Sequence, residues 1–214
     1  MNASALYDWF GWNRTIFHLI NNVKDPLLDV IMLLGTFLSD YRRIVIYGPL
    51  FVLIALPVIY RNCTRQRLTD ACFWLVSLTT LFGAVVADSA FLSLLKPLLD
   101  MPRPVLALGA NAVKVLGEVK LHNSFPSGHA SFAMTLVVSL WLVLPTAGRL
   151  LAMLFLAWAA VSRVYVGAHF PADVVGGLVS SFIIAMVVRN IALLIVPYVV
   201  RKIASWRARA ARAA

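Results

Sequence analysis

Residues 70–95 read DACFWLVSLTTLFGAVVADSAFLSLL, a run that opens on Asp70 and is then interrupted by a charge only at Asp88. A helix needs about 20 mostly apolar residues to cross a bilayer, and this run exceeds that length. Comparable runs stand on both sides of it: 27–39, 44–60, 129–147, 149–165 and 173–200. Together they predict an all-α fold, a bundle of six transmembrane helices in a single domain spanning 1–214. Pro49 and Pro57 are expected to kink the second span. Residues 5–22 carry Trp9, Trp12 and Arg14 and are expected to lie as a helix in the membrane interface.

Composition agrees. Hydrophobic residues make up 61% and charged residues 13% of the 214 positions, against about 45–50% and about 25% in soluble domains. The net charge of +10 would suggest nucleic acid in a soluble protein. Here the cations sit in short loops and in the tail RKIASWRARAARAA, without a nucleic-acid motif, so no nucleic-acid partner is expected. Cys63 and Cys72 lack a metal-ligand pattern and read as free thiols. No basic segment leads into a small-residue cleavage site, so no cleaved signal peptide is expected.

Six spans place both termini on one side. RNCTRQR (61–67), Arg149, and Arg201, Lys202, Arg207, Arg209 and Arg212 of the tail share that side, which the positive-inside rule makes cytoplasmic. Arg42 and Arg43 run against this arrangement. The segments 96–128 and 163–173 then face outward together.

Those two outward segments concentrate unusual residues. The first holds Lys96, Arg103, Lys114 and Lys120, then HNSFPSGHASFA (122–133); the second is SRVYVGAHFPAD (162–173). Lys114 and Lys120, taken singly, suit lipid headgroups. In PSGH, Ser127 is a natural N-cap, Gly128 allows close backbone approach, and a helix N-terminus favours an anion. His129 falls in the first helical turn, placed to give a proton to a bound group. His169 and Asp173 are spaced i, i+4, so the carboxylate can hold one ring nitrogen and leave the other free to attack. Pro171 suits a first helical turn. Two histidines, an orienting carboxylate and the cations Lys96, Arg103 and Arg163 fit phosphoryl transfer, the cations neutralising the non-bridging oxygens. The carboxylate cluster that a magnesium ion requires is missing, so neither a metal nor another cofactor is expected. Asp88 is a functional suspect outside this set. His18 and His122 have no evident partner.

Lys96-PLLDMP-Arg103-Pro104, Pro126-Ser127-Gly128-His129 and Ser162-Arg163-VYVGA-His169-FPA-Asp173 resemble the three-part signature of the type 2 phosphatidic acid phosphatases. Their superfamily also holds vanadium haloperoxidases and glucose-6-phosphatase. The resemblance covers residues 96–173 and implies a metal-independent membrane phosphatase acting through a phosphohistidine. It assigns His169 as nucleophile, Asp173 as its orienting partner and His129 as general acid. Lys96, Arg103, Arg163, Ser127 and Gly128 become phosphate ligands, with Ser162 adding a hydrogen bond. The short form resembles bacterial inner-membrane members acting on undecaprenyl diphosphate, phosphatidylglycerol phosphate, phosphatidic acid or lipid A phosphates. An outward-facing site favours the first. Phosphate transfer to a lipid hydroxyl, and a non-catalytic anion transporter, are the competing expectations. A permeation path has no need of a His–Asp pair, and the soluble haloperoxidases differ in their surroundings.

Overall fold

The computed structural model describes residues 7–65 and 67–213, and among these it holds helices and turns without a strand. The helices are α1 (Trp12–Asn21), α2 (Pro26–Leu38), α3 (Ile44–Thr64), α4 (Leu68–Leu99), the short α5 (Pro104–Leu108), α6 (Gly128–Leu140), α7 (Thr146–Tyr165) and α8 (Pro171–Ala213). Tyr41–Thr64, Leu68–Leu108, Thr146–Tyr165 and Pro171–Trp206 are long and apolar enough to cross a membrane. Leu53, Val86, Leu150 and Leu194 stand out from these segments with more than half of their surface open. Helices that are apolar on their outer faces as well as their inner ones belong in lipid.

α6 is the axis of the bundle. Phe132 and Leu136 meet Phe51 and Leu81, Ala133 and Val137 meet Leu156 and Ala159, and Val138 meets Ala84 and Ala185. The 129–147 span expected from hydropathy is therefore shorter in the fold: the helix stops at Leu140, and residues 141–143 turn before Pro145 opens α7. A helix enclosed by protein is free of the need to match the bilayer thickness. α3 runs continuously through Pro49 and Pro57. Cys63 is exposed and Cys72 buried, both as free thiols.

α2 is apolar but shorter than the four long helices. Its first turn is tied by Asp29 to Lys114 and to the Tyr165 hydroxyl (2.6 Å), at the far end of α7. Near its last turn Thr36 accepts from Arg163 Nη1 (3.1 Å), again at that end of α7. The chain then enters α3 beside the first turns of α6, where the Tyr47 and Phe132 rings stack. Between these ties α2 packs alongside the C-terminal part of α7, where Gly35 meets Trp158 and Ser162. At 1.5 Å per residue its 13 residues reach only about 20 Å. The four long helices pack together with the shorter α6, α4 and α6 both lying against α8. Residues 5 and 6 of the expected interfacial helix, and the side chains of Arg207 and Arg212, lie outside the described residues.

α1 docks on the same end through a mixed face. Asn13, Phe17 and Asn21 are buried, while Trp12 and Leu19 on its other side are exposed. Asn13 Oδ1 accepts from Ala172 N–H (2.9 Å). Asn21 bridges the Lys114 backbone in both directions (2.7 and 2.9 Å) and also donates to Tyr165 O (2.9 Å). Buried amides thus clamp this helix to the protein along one face.

Candidate active site

The three signature segments meet at the end of the bundle that α1 and α2 cover. α4 delivers Lys96 in its last turn and ends at Asp100. Arg103 follows, its backbone N–H bonded to Leu121 O (2.8 Å), which closes the intervening loop onto itself. Ser127 and Gly128 open α6, and α7 ends two residues after Arg163. A turn through Gly167, whose φ is +75°, returns the chain to Pro171 at the start of α8. A side chain at Gly167 would strike the Lys114 carbonyl, so glycine is required there for both its conformation and its size. At Gly177 a Cβ would sit 2.5 Å from Ser127 O, so the PSGH turn rests directly on α8.

A cleft of about 880 Å³ opens at this end. Lys96, Arg103, Gly128, His129, Arg163 and His169 line it, faced by Val30, Leu33, Leu34 and Phe37 of α2. One wall is cationic and the other apolar. Lys96 Nζ donates to Asn123 O (3.1 Å), and Arg103 donates to His122 O (3.0 Å) and Ala168 O (3.1 Å). Among the described residues, no carboxylate lies within salt-bridge distance of Lys96, Arg103 or Arg163. Arg163 is 7% exposed, and its Nε is buried without a partner, as is the Ser127 hydroxyl. Buried cations lacking a counter-charge are costly unless an anion arrives.

His169 is 2% exposed. Its Nδ1 faces Asp173 Oδ2 at 3.5 Å and its Nε2 faces Arg103 Nη1, also at 3.5 Å. Burial, aided by the charges of Arg103 and Arg163, pushes the imidazole down to about 3 against the opposing pull of Asp173. The ring is thus neutral at ordinary pH, with one nitrogen held from behind and the other turned to the cleft. Asp173 also accepts from Phe170 N–H (2.9 Å), so one carboxylate caps the start of α8 and backs the histidine.

Sequence reasoning missed two of this carboxylate's partners. Ser124 Oγ donates to Oδ2 (2.5 Å) and the Tyr7 hydroxyl donates to Oδ1 (2.6 Å). Burial and the nearby Asp173 charge raise the Tyr7 phenol well above its ordinary range, keeping it a donor. Asp40, across the cleft from His129, is worked upward by burial, but Arg42 and its N–H hold it below the usual carboxylate range. Ser127 takes the N-cap position of α6 without a side-chain capping bond. Ser162 is fully buried behind the cleft, its hydroxyl given to Ala159 O (2.8 Å). His122 has a partner after all, Asp100 (3.2 Å), on the exposed surface. Asp88 accepts from Ser181 Oγ (2.6 Å) and borders a side chamber of about 370 Å³ that shares Lys96, Asn123 and Gly128 with the main cleft. Among the described residues, no three His, Cys, Asp or Glu side chains converge as metal ligands would.

A helical membrane bundle with an anion-seeking cleft at one end defines a class, the integral-membrane enzymes that handle phosphorylated lipids. Residues 73–196 match the PAP2 superfamily. The chain belongs to that superfamily and is a membrane lipid phosphatase of its type. It is similar to an undecaprenyl-diphosphatase of Sulfolobus acidocaldarius, with 29% identity over 174 residues, 81% of this chain and 75% of that one. Two crystal structures share the fold at a TM-score of 0.63. Aquifex aeolicus LpxE is 24% identical, covering 84% of this chain and 95% of that chain. A transmembrane PAP2-type phosphatidylglycerolphosphate phosphatase of Bacillus subtilis is 22% identical, covering 91% and 89%.

Proposed function

We propose that the protein hydrolyses undecaprenyl diphosphate to undecaprenyl phosphate at the outer face of a cell's inner membrane, through a phosphohistidine and without a metal ion. The observation that carries this reading is the set of three unneutralised cations around a buried, neutral histidine. The name of the Sulfolobus relative supports the choice of lipid.

Lys96, Arg103 and Arg163 hold the terminal phosphate, joined by the Ser127 hydroxyl and the Gly128 N–H. Asp173 keeps the His169 proton on Nδ1, so Nε2 presents its lone pair. Nε2 bonds to the terminal phosphorus as the bridging P–O bond breaks. The electron pair leaves on the lipid phosphate oxygen, which takes a proton from His129. Water then attacks the phosphorus and gives a proton to His129; the P–N bond breaks and His169 is restored. The cations stabilise the charge that builds on the non-bridging oxygens in both steps. Ser162 supports Arg163 from behind through Thr36, which lies 3.4 Å from it.

The catalytic end faces outward, because Arg61, Arg65, Arg67, Arg149, Arg201 and Lys202 cluster around the other end. The C-terminal end of α8 is then cytoplasmic, while Tyr7 and α1 sit outside with the site. Residues 1–214 act as one domain, since Tyr7 and Asn13 bond to Asp173 and Ala172 and α2 lines the cleft.

Phosphate release from purified protein in detergent, with EDTA present, tests the reading. Undecaprenyl diphosphate is expected to outpace phosphatidylglycerol phosphate, phosphatidic acid and lipid A. Activity abolished by EDTA would overturn the metal-free chemistry, and a faster rate on another lipid would overturn the substrate. Phosphate recovered on an added acceptor lipid would make the enzyme a phosphotransferase.

A further inference from the structure

Asp173 has two oxygens with different company. Oδ2 receives the Phe170 N–H and the Ser124 hydroxyl and faces His169. Among the described residues, Oδ1 receives one side-chain donor, the Tyr7 hydroxyl, from 166 positions away. That hydroxyl is delivered by the N-terminal segment, outside the region that matches the PAP2 superfamily. The segment is fixed close by, since Asn13 holds Ala172 N–H one residue before the carboxylate. The Tyr7 ring packs edge-on against Phe125 (6.2 Å between centroids) and Phe170 (6.4 Å), so the hydroxyl is aimed by three independent contacts.

A carboxylate with one satisfied oxygen can turn about its terminal torsion, which is broad for Asp. Securing the second oxygen removes that freedom and holds Oδ2 toward the imidazole. The bond also draws negative charge from Asp173, lowering its pull on the His169 proton. We propose that Tyr7 is a positioning residue for the phosphatase reaction: its hydroxyl fixes Asp173, which in turn orients His169 for attack. This rests on His169 being the nucleophile. The N-terminal segment is then a working part of the active site, and α1, with Asn13 and Asn21, is the mount that carries it.

Tyr7→Phe keeps the ring contacts and removes only the donor. The charged and titratable groups around the Asp173–His169 pair are Tyr7 and Asp8 from the N-terminal segment, Lys96 and Arg103 from the loop end of α4, His129 from α6 and Arg163 from α7. With Asp173 less shielded, His169 binds its proton more readily, so the acid limb of kcat moves to higher pH. The expected result is a kcat lower by about 10-fold, the loss of one hydrogen bond to a charged group. KM should stay within about twofold and the thermal midpoint close to that of the unaltered enzyme. Incorporating 3-fluorotyrosine at position 7 strengthens the donor and keeps the fold, so there the acid limb should move to lower pH. If the unaltered enzyme releases phosphate while both variants match its kcat and acid limb, Tyr7 has no positioning role. If the unaltered enzyme releases none from any lipid phosphate, the proposed function itself fails.

Discussion

At the catalytic end, Tyr7, Asn13, Asn21 and Asp29 hydrogen-bond partners between 85 and 166 positions away along the chain. At the opposite end the side-chain bonds are local: Thr64 to Arg61 O, Arg201 to Pro197 O, Ser205 to Lys202 O and Arg149 to Trp141 O. The helices between the two ends share the same apolar packing, which fixes them in lipid without prescribing a single geometry for loops. Directional bonds do prescribe one, and they are concentrated around His129, His169 and three cations, where the proposed chemistry needs a fixed spacing.

The contrast can be broken in several places. The largest effect is expected at the nucleophile. His169→Asn should cut phosphate release by roughly 10⁴-fold or more, and no phosphoenzyme should be trapped on alkaline quenching, where a histidine P–N bond survives. Arg163→Ala should cost about 10²–10³-fold in kcat, the range for one donor at a developing charge. Restoring only the charge with Arg163→Lys should recover part of it, because the fork geometry is lost. At the mount, Asn21→Ala leaves a buried N–H and two carbonyls without their partner, and should lower unfolding free energy by about 3 kcal/mol; denaturant titration in detergent measures it.

The pH response is smaller. Burial holds His169 at about 3 in the fold, below its unfolded value of about 6.5. Its contribution to stability is therefore fully present above pH 6.5 and is lost as pH falls toward the folded value, since the unfolded chain binds the proton first. Between pH 6.5 and 5 this amounts to about 2 kcal/mol. His169→Asn should flatten that slope; an unchanged slope would mean the ring titrates freely in the fold. Smallest of all, Arg149→Gln at the far end should change stability by less than about 1 kcal/mol and leave kcat alone. A large loss there would erase the difference between the two ends.

The parts legible in the sequence are those with a local pattern. Long apolar runs gave the bundle, and fixed spacings brought Lys96, Arg103, His129, Arg163, His169 and Asp173 to one cleft. The ties of residues 27–39 were not legible, because hydropathy reports that a helix prefers lipid and says nothing of the bonds to Lys114, Tyr165 and Arg163 that hold it. Tyr7 and Ser124 were hidden for another reason: each acts through one long-range bond, and a lone tyrosine or serine has no spacing to read. α1 did carry a signal. Asn13, Phe17 and Asn21 recur every four residues on one face, and two amides bracketing a phenylalanine call for protein partners more than for a bilayer surface.

The length of α8 has a practical consequence for anyone attaching something to this enzyme. It opens beside His169 and runs for 43 residues, about 60 Å at 1.5 Å per residue. A reporter joined after it would therefore stand far from the cleft's mouth and leave the chemistry undisturbed.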